Sequence, residues 1–170
     1  DYRYIEQERE LFSGVFARAV DESTARFDRS AASLTGEMVA RNYFKVLGVA
    51  PRLGRVFDTA GSPLAGAPVV VISHNLWMTR FGGRSDALGK KLALGTRRYE
   101  GVYGAFADYT IVGVMEPGFR GTLGPWRRSD YWVVWDQRAL DFAEDDPDHE
   151  RTIPALVLGR LKPGISNASA

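Results

Sequence analysis

Apolar and polar positions along this chain change period every few residues, and that pattern predicts a mixture of short strands and short helices. Tyr2, Ile5, Leu11 and Phe12 recur at loose helical spacing among Glu and Arg, which predicts an amphipathic helix over residues 2–13, stopped by Ser13-Gly14. Val15 to Val20 reads as a strand, and the polar stretch 21–33 as a turn and a strand edge. Leu34 to Val39 alternates as a strand does. Asn42 stands where a helix cap is expected, before Tyr43-Phe44-Lys45-Val46-Leu47, and Gly48 ends that run. Pro51 to Pro68 is rich in Gly, Pro and Ala and reads as loop.

Val69-Val70-Val71-Ile72 is wholly apolar and β-branched, the pattern of a strand covered on both faces. Ser73 is placed to cap a helix from about Asn75 to Phe81, closed by Gly82-Gly83. Leu88 to Leu94, Tyr109 to Met115, Tyr131 to Trp135 and Pro154 to Leu161 read as strands. Residues 95–108 read as an inserted hairpin or loop, Glu144 to Glu150 as an acidic loop, and Lys162-Pro163-Gly164 as a turn. No regular βαβ period and no repeat of solenoid length appears. The fold class expected is α+β: one mixed β-sheet, or two small ones, with short helices packed on a face.

Composition narrows the function. The 170 residues suffice for one domain, 45% apolar and 25% charged. Lys and Arg number 22 against 21 Asp and Glu, so no excess charge points to nucleic acid or an anionic membrane. The absence of cysteine removes disulfides, thiolate zinc sites and cysteine nucleophiles. No apolar run approaches the length of a membrane span, and residues 1–6 do not make a signal peptide. The chain opens on Asp1 rather than Met, which gives the expectation of a segment of something larger.

Candidate chemistry is sparse. Ser73-His74 suggests acyl transfer, but adjacent side chains point apart, no G-x-S-x-G elbow is present, and Ser73 has work as a cap. Asp145, Asp146, Asp148, His149 and Glu150 carry oxygen and nitrogen donors without the glycine or spacing of an EF-hand loop, and read as a solvated loop. Gly82-Gly83 follows a helix instead of opening one, and no G-x-G-x-x-G or P-loop pattern occurs, so no phosphate cradle is evident. Catalytic, cofactor and metal residues are therefore assigned to none. What remains is a set of aromatic and Arg residues of the kind that anchor interfaces: Tyr99, Tyr103 and Phe106 in the 95–108 segment, and Arg120, Trp126, Arg127 and Arg128 before the Tyr131 strand; the alternative is that Tyr131 to Trp135 is simply a core strand with a basic loop before it.

Several blocks in order carry a family resemblance. Gly36-Glu37-Met38-Val39-Ala40-Arg41-Asn42-Tyr43-Phe44-Lys45-Val46-Leu47-Gly48-Val49, then Pro51 to Phe57, resembles the "strand, then N-Y-F-x-x-L-G-V" stretch of the MacB-like periplasmic core domain. Val69 to Trp77 with Arg80-Phe81-Gly82-Gly83 is similar to the family's second block. Leu88 to Leu92, Thr110 to Met115, Pro117-Gly118-Phe119-Arg120-Gly121 and Gly159 to Gly164 follow in the expected order. The segment Gly95 to Asp108 departs from the pattern, being longer than the family's short N-G-x-x-Y/F turn.

The resemblance implies a single extracytoplasmic domain over residues 1–170, taken from an inner-membrane ABC-transporter permease. It implies no enzyme in this segment, with any ATPase activity in a separate domain or subunit reached through membrane helices. The domain would couple cytoplasmic ATP hydrolysis to motion, or to substrate or partner handling, outside the membrane, in efflux or mechanotransmission. Its further partners would be a periplasmic adaptor or a second permease copy, and no nucleic acid. The alternatives are a soluble envelope ligand-binding module and, behind it, an envelope hydrolase. The hydrolase needs a convergent set of titratable groups, for which two histidines and no recognisable carboxylate pair are poor material.

Overall fold

The computed structural model describes residues 11–28, 30–57, 68–97, 103–135 and 154–165. Among them the elements run β1 (Phe12–Phe27), β2 (Ser30–Val39), α1 (Tyr43–Leu47), β3 (Pro51–Gly54), β4 (Val69–Ile72), α2 (His74–Phe81), β5 (Lys91–Arg97), β6 (Tyr103–Met115), β7 (Tyr131–Val134) and β8 (Leu156–Leu161), with a 3₁₀ turn at Ser85–Ala87. All eight strands join one sheet. It is mixed: β2 with β7 and β4 with β6 are parallel, and the other pairs are antiparallel. Mixed sheet with few short helices is the α+β architecture expected from the pattern.

The pairings close on themselves. β2 pairs β7, β7 pairs β4, β4 pairs β6, β6 pairs β5, β5 pairs β1, and β1 returns to β2. Closure leaves these six strands no long open edge. β3 adds to β6 outside the ring, and β8 adds to the first half of β1.

Each ring strand sends alternate residues inward to one cluster: Ala19 and Ala25, Leu34 and Met38, Val70 and Ile72, Leu92 and Leu94, Tyr109 and Ile111, Tyr131 and Val133. Leu76 and Trp77 of α2 pack into the same cluster. The opposite face of β4 and β7 is also buried. Val69, Val71, Trp132 and Val134 pack with Phe16 and Val39 beneath Tyr43 and Phe44 of α1 and Phe57. β4 is thus covered on both faces, as its apolar run predicts.

Several local expectations give way. β1 begins at Phe12, so no helix extends through residues 12 and 13; residues 2–10 lie outside the described residues. Gly14 is a strand residue kept small because a Cβ would strike the Val46 side chain of α1. The polar stretch 21–33 is not a turn and edge but the paired arms of β1 and β2. Asp21 and Ser23 point inward there, so polarity hid the alternation. Asn42 makes no side-chain cap on α1; its Nδ2 donates to the Val15 carbonyl at 2.8 Å and ties the helix to β1. Within the loop expected from Pro51 to Pro68, Pro51–Gly54 is a strand outside the ring, where a leading proline costs no ladder bond. The strand read from Leu88 starts at Lys91, and residues 95–97 and 103–108 extend the β5–β6 hairpin.

Ser73 does cap α2, its hydroxyl accepting from the Leu76 amide at 3.1 Å, and Gly82 closes the helix at φ 63°. Trp77, 7% exposed, fills the inner cluster and donates its indole N–H to the Arg84 carbonyl at 2.8 Å. Trp77→Ala is expected to cost about 3–5 kcal/mol in urea melts, as buried aromatic truncations do. A loss under about 1 kcal/mol would mean the residue contributes no core packing.

Candidate functional site

The outward positions of β1 change character along the strand. Phe16 is buried under Tyr43, their rings edge to face at 4.9 Å. Arg18 is buried, Val20 is 37% exposed, and Arg26 is exposed. The covering over Arg18 comes from the connection between β6 and β7, residues 116–130.

That connection is held at its base by one carboxylate. Glu37 lies on β2, opposite Trp132 of β7, and is wholly buried. It accepts the Trp132 indole N–H at 2.9 Å, the Thr122 amide at 3.0 Å, the Thr122 hydroxyl at 2.6 Å and the Ser129 hydroxyl at 2.5 Å. The Tyr43 phenol donates to both its oxygens at 3.3 Å. Arg18 brings its Nε to 4.0 Å and donates Nη2 to the Thr122 carbonyl at 3.1 Å. A buried carboxylate survives only where donors and an opposite charge replace its water, and this one has both. Burial, then the negative charge of Glu37, raise the Tyr43 phenol well above its usual value, so it stays protonated and remains a donor.

Two glycines make room for their neighbours, Gly36 inside the ring and Gly121 at the Glu37 cluster. At Gly36 a Cβ would run into the Tyr131 ring. At Gly121, φ +82° already requires glycine, and a Cβ would run into the Glu37 carboxylate and the Ser129 hydroxyl. The neck of the loop is closed by the Ser129 amide on the Arg120 carbonyl at 3.0 Å. Asp130 donates its amide to the Thr35 carbonyl at 2.6 Å and accepts the Thr35 amide at 3.1 Å. Burial raises the Asp130 carboxyl above its ordinary value, and the Thr35 amide works against that. Inside the ring Asp21 is held in a similar way, by the Tyr131 hydroxyl at 2.8 Å and the Ser23 hydroxyl at 3.2 Å.

The tip of this pinned loop carries the expected interface residues. Trp126 is 95% exposed, in a turn after Pro125. Arg127 reaches back to Glu22 of β1 at 2.6 Å, and Arg120 and Arg128 are exposed. The other half of the expected surface is partly visible. The Arg26 guanidinium lies 3.6 Å over the Phe106 ring, which is half-buried. Tyr103 lies in β6, and Tyr99 lies outside the described residues. Glu22 and Arg26 are four residues apart on the outward face of β1, so Phe106 and Arg127 are brought to one side of the ring.

Other candidates fall away from this surface. Ser73 is occupied as a cap, and His74 packs its ring on Trp77 at 5.4 Å. The acidic run 144–150 lies outside the described residues. Among the described residues no group of three His, Cys, Asp or Glu is placed to hold a metal. Sequence reasoning missed Glu37 and Arg18. The available signal was a charged residue inside an otherwise apolar strand end, Gly36-Glu37-Met38-Val39.

The sequence profile of the MacB-like periplasmic core domain matches residues 1–170. The fold matches the periplasmic region of MacB from Actinobacillus actinomycetemcomitans with a TM-score of 0.64 at 10% identity, covering 98% of this chain and 65% of that one. It matches the extracellular domain of the noncanonic ABC-type transporter YknZ from Gram-positive bacteria with a TM-score of 0.58 at 18% identity, covering 87% of this chain and 82% of that one. No curated protein sequence matches at comparable significance. This is an extracytoplasmic domain of an ABC-transporter permease. The chain belongs to the MacB-like periplasmic core domain family, a family of permease domains rather than of known catalysts.

Glu37→Ala strips the shared acceptor from four side chains and an amide and leaves Arg18 without its counter-charge. It is expected to cost about 3–5 kcal/mol in urea melts, as breaking a buried charged network does. Glu22→Ala, which breaks only the half-exposed pair with Arg127, is expected to cost less than about 1 kcal/mol. Equal costs would refute the assignment of Glu37 as the anchor.

Proposed function

We propose that this domain transmits ATP-driven motion of its permease to a surface outside the membrane. The observation that carries this reading is the pairing of β1 with β8. Phe12 lies opposite Leu161, and the Lys162 amide donates to the Leu11 carbonyl at 3.0 Å. The chain therefore enters and leaves the described fold side by side. A domain held by two adjacent strands at one end can swing as a unit, because displacement of the tether is carried into the sheet through their ladder.

β1 is the element that would carry the motion. Its 16 residues, with a register irregularity against β8 between Phe12 and Gly14, run about 50 Å from β8 past the Glu37 cluster to the Arg26–Phe106 contact. The closed ring and its buried core make the body stiff, so a displacement at the tether reappears at the far end instead of being absorbed. Such a lever would serve efflux or mechanotransmission, and an adaptor or a second permease copy would be what it moves against.

The 170 residues hold no cysteine, so a cysteine introduced at exposed Met78 accepts a spin label selectively within this domain. In the permease with its ATPase, the distance distribution between labels on two copies is expected to differ between nucleotide-free and vanadate-trapped states. Superimposable distributions in both states would count against coupling.

A further inference from the structure

We infer that the Trp126 loop, with the outward face of β1 beside it, is a docking surface for an acidic patch on another envelope protein. This deepens the functional reading above, since it names the kind of partner the domain would move.

Trp126 is the starting observation. A tryptophan 95% in water gives up hydrophobic stabilisation that any buried site would supply, and this one is not on a slack segment. The loop is closed at its neck by Ser129 and Arg120, pinned beneath by Glu37 and braced by Arg127 on Glu22. A large aromatic held ready on a fixed loop loses little freedom on binding, which is the property of an interface anchor.

The surrounding charge selects the occupant. Arg120, Arg127 and Arg128 stand on or beside the loop, and Arg26 is exposed further along the same face of β1. Glu22 answers one of these. Two copies meeting through this face would set Arg against Arg, so a symmetric pairing here is opposed. A lipid surface is disfavoured by position. Glu22 is ten residues beyond Phe12, about 33 Å along β1 from the point where the chain enters the described fold, and four residues past the last β8 pairing at Arg18. A long polyanion is disfavoured by the net charge of +1, which supplies no extended basic field. A compact carboxylate-rimmed apolar pocket satisfies both the indole and the guanidinium groups.

The probe is a synthetic helical peptide with a Leu stripe flanked by Glu, titrated into the 170-residue chain and followed by tryptophan emission. Saturable binding is expected, weakening as salt is raised. It should fall about tenfold or more in Trp126→Ala and in Arg128→Glu, two exposed positions whose variants should keep the wild-type urea midpoint. Parallel arms use phosphatidylethanolamine–phosphatidylglycerol vesicles, single-stranded DNA, and the chain alone over a concentration series in sedimentation equilibrium. Absence of peptide binding, or binding indifferent to both variants, would overturn the inference. So would Trp126-dependent binding to vesicles or DNA as tight as to the peptide, or a dimer that Trp126→Ala abolishes. None of these arms involves nucleotide, so failure here leaves the coupling reading to its own test.

Discussion

Everything at the exposed end of this domain depends on a negative charge placed where water cannot reach it. Glu37 sits at 0% exposure between β1 and β7, and the donors and the counter-charge that make this tolerable come from four separated parts of the chain. Trp132 comes from β7, Tyr43 from α1, Thr122 and Ser129 from the β6–β7 connection, and Arg18 from β1. Burying a carboxylate costs several kcal/mol, and its partners recover that only when all are in place. The cluster therefore specifies a geometry more than it adds stability. A loop bonded through both Thr122 and Ser129 can take few other paths across the sheet.

The same strand that bears Arg18 links the two ends of the molecule. β1 pairs with β8 near its start, with β2 along its second half and with β5 near its end. Its inward positions belong to the core of the ring. Its outward positions meet α1, then the Glu37 loop, then open surface. Tether, anchor and exposed face are thus successive stretches of one rigid element.

Much of the fold was legible because its strands are apolar. Val69–Ile72 announced a strand buried on both faces, and Ser73 and Gly82 bounded α2 as their chemistry requires. The hairpin of β1 and β2 was hidden because inward positions 21 and 23 are Asp and Ser, which bond one another, and Asp21 also bonds Tyr131, 110 residues away. Asn42 was read as a cap, which uses the side-chain oxygen, whereas the fold uses its Nδ2 to tie α1 to a strand 27 residues away. Trp126 and its neighbouring Arg residues could be picked out from composition, which does not distinguish an interface from a basic loop before a core strand. Their anchor could not. Glu37 joins Thr122 and Ser129 across 85 and 92 residues, and nothing local marks such a contact.

Amide hydrogen exchange on the wild-type chain and on Glu37→Gln separates anchoring from general stability. Gln keeps the shape but replaces one acceptor oxygen with a donor that faces other donors. The account predicts that the Thr122 and Ser129 amides, protected in the wild type, exchange much faster in Glu37→Gln, while the amides of β4 and β6 keep their protection. Unchanged protection at Thr122 and Ser129, or an equal loss across the whole ring, would contradict the claim that Glu37 holds this loop in place.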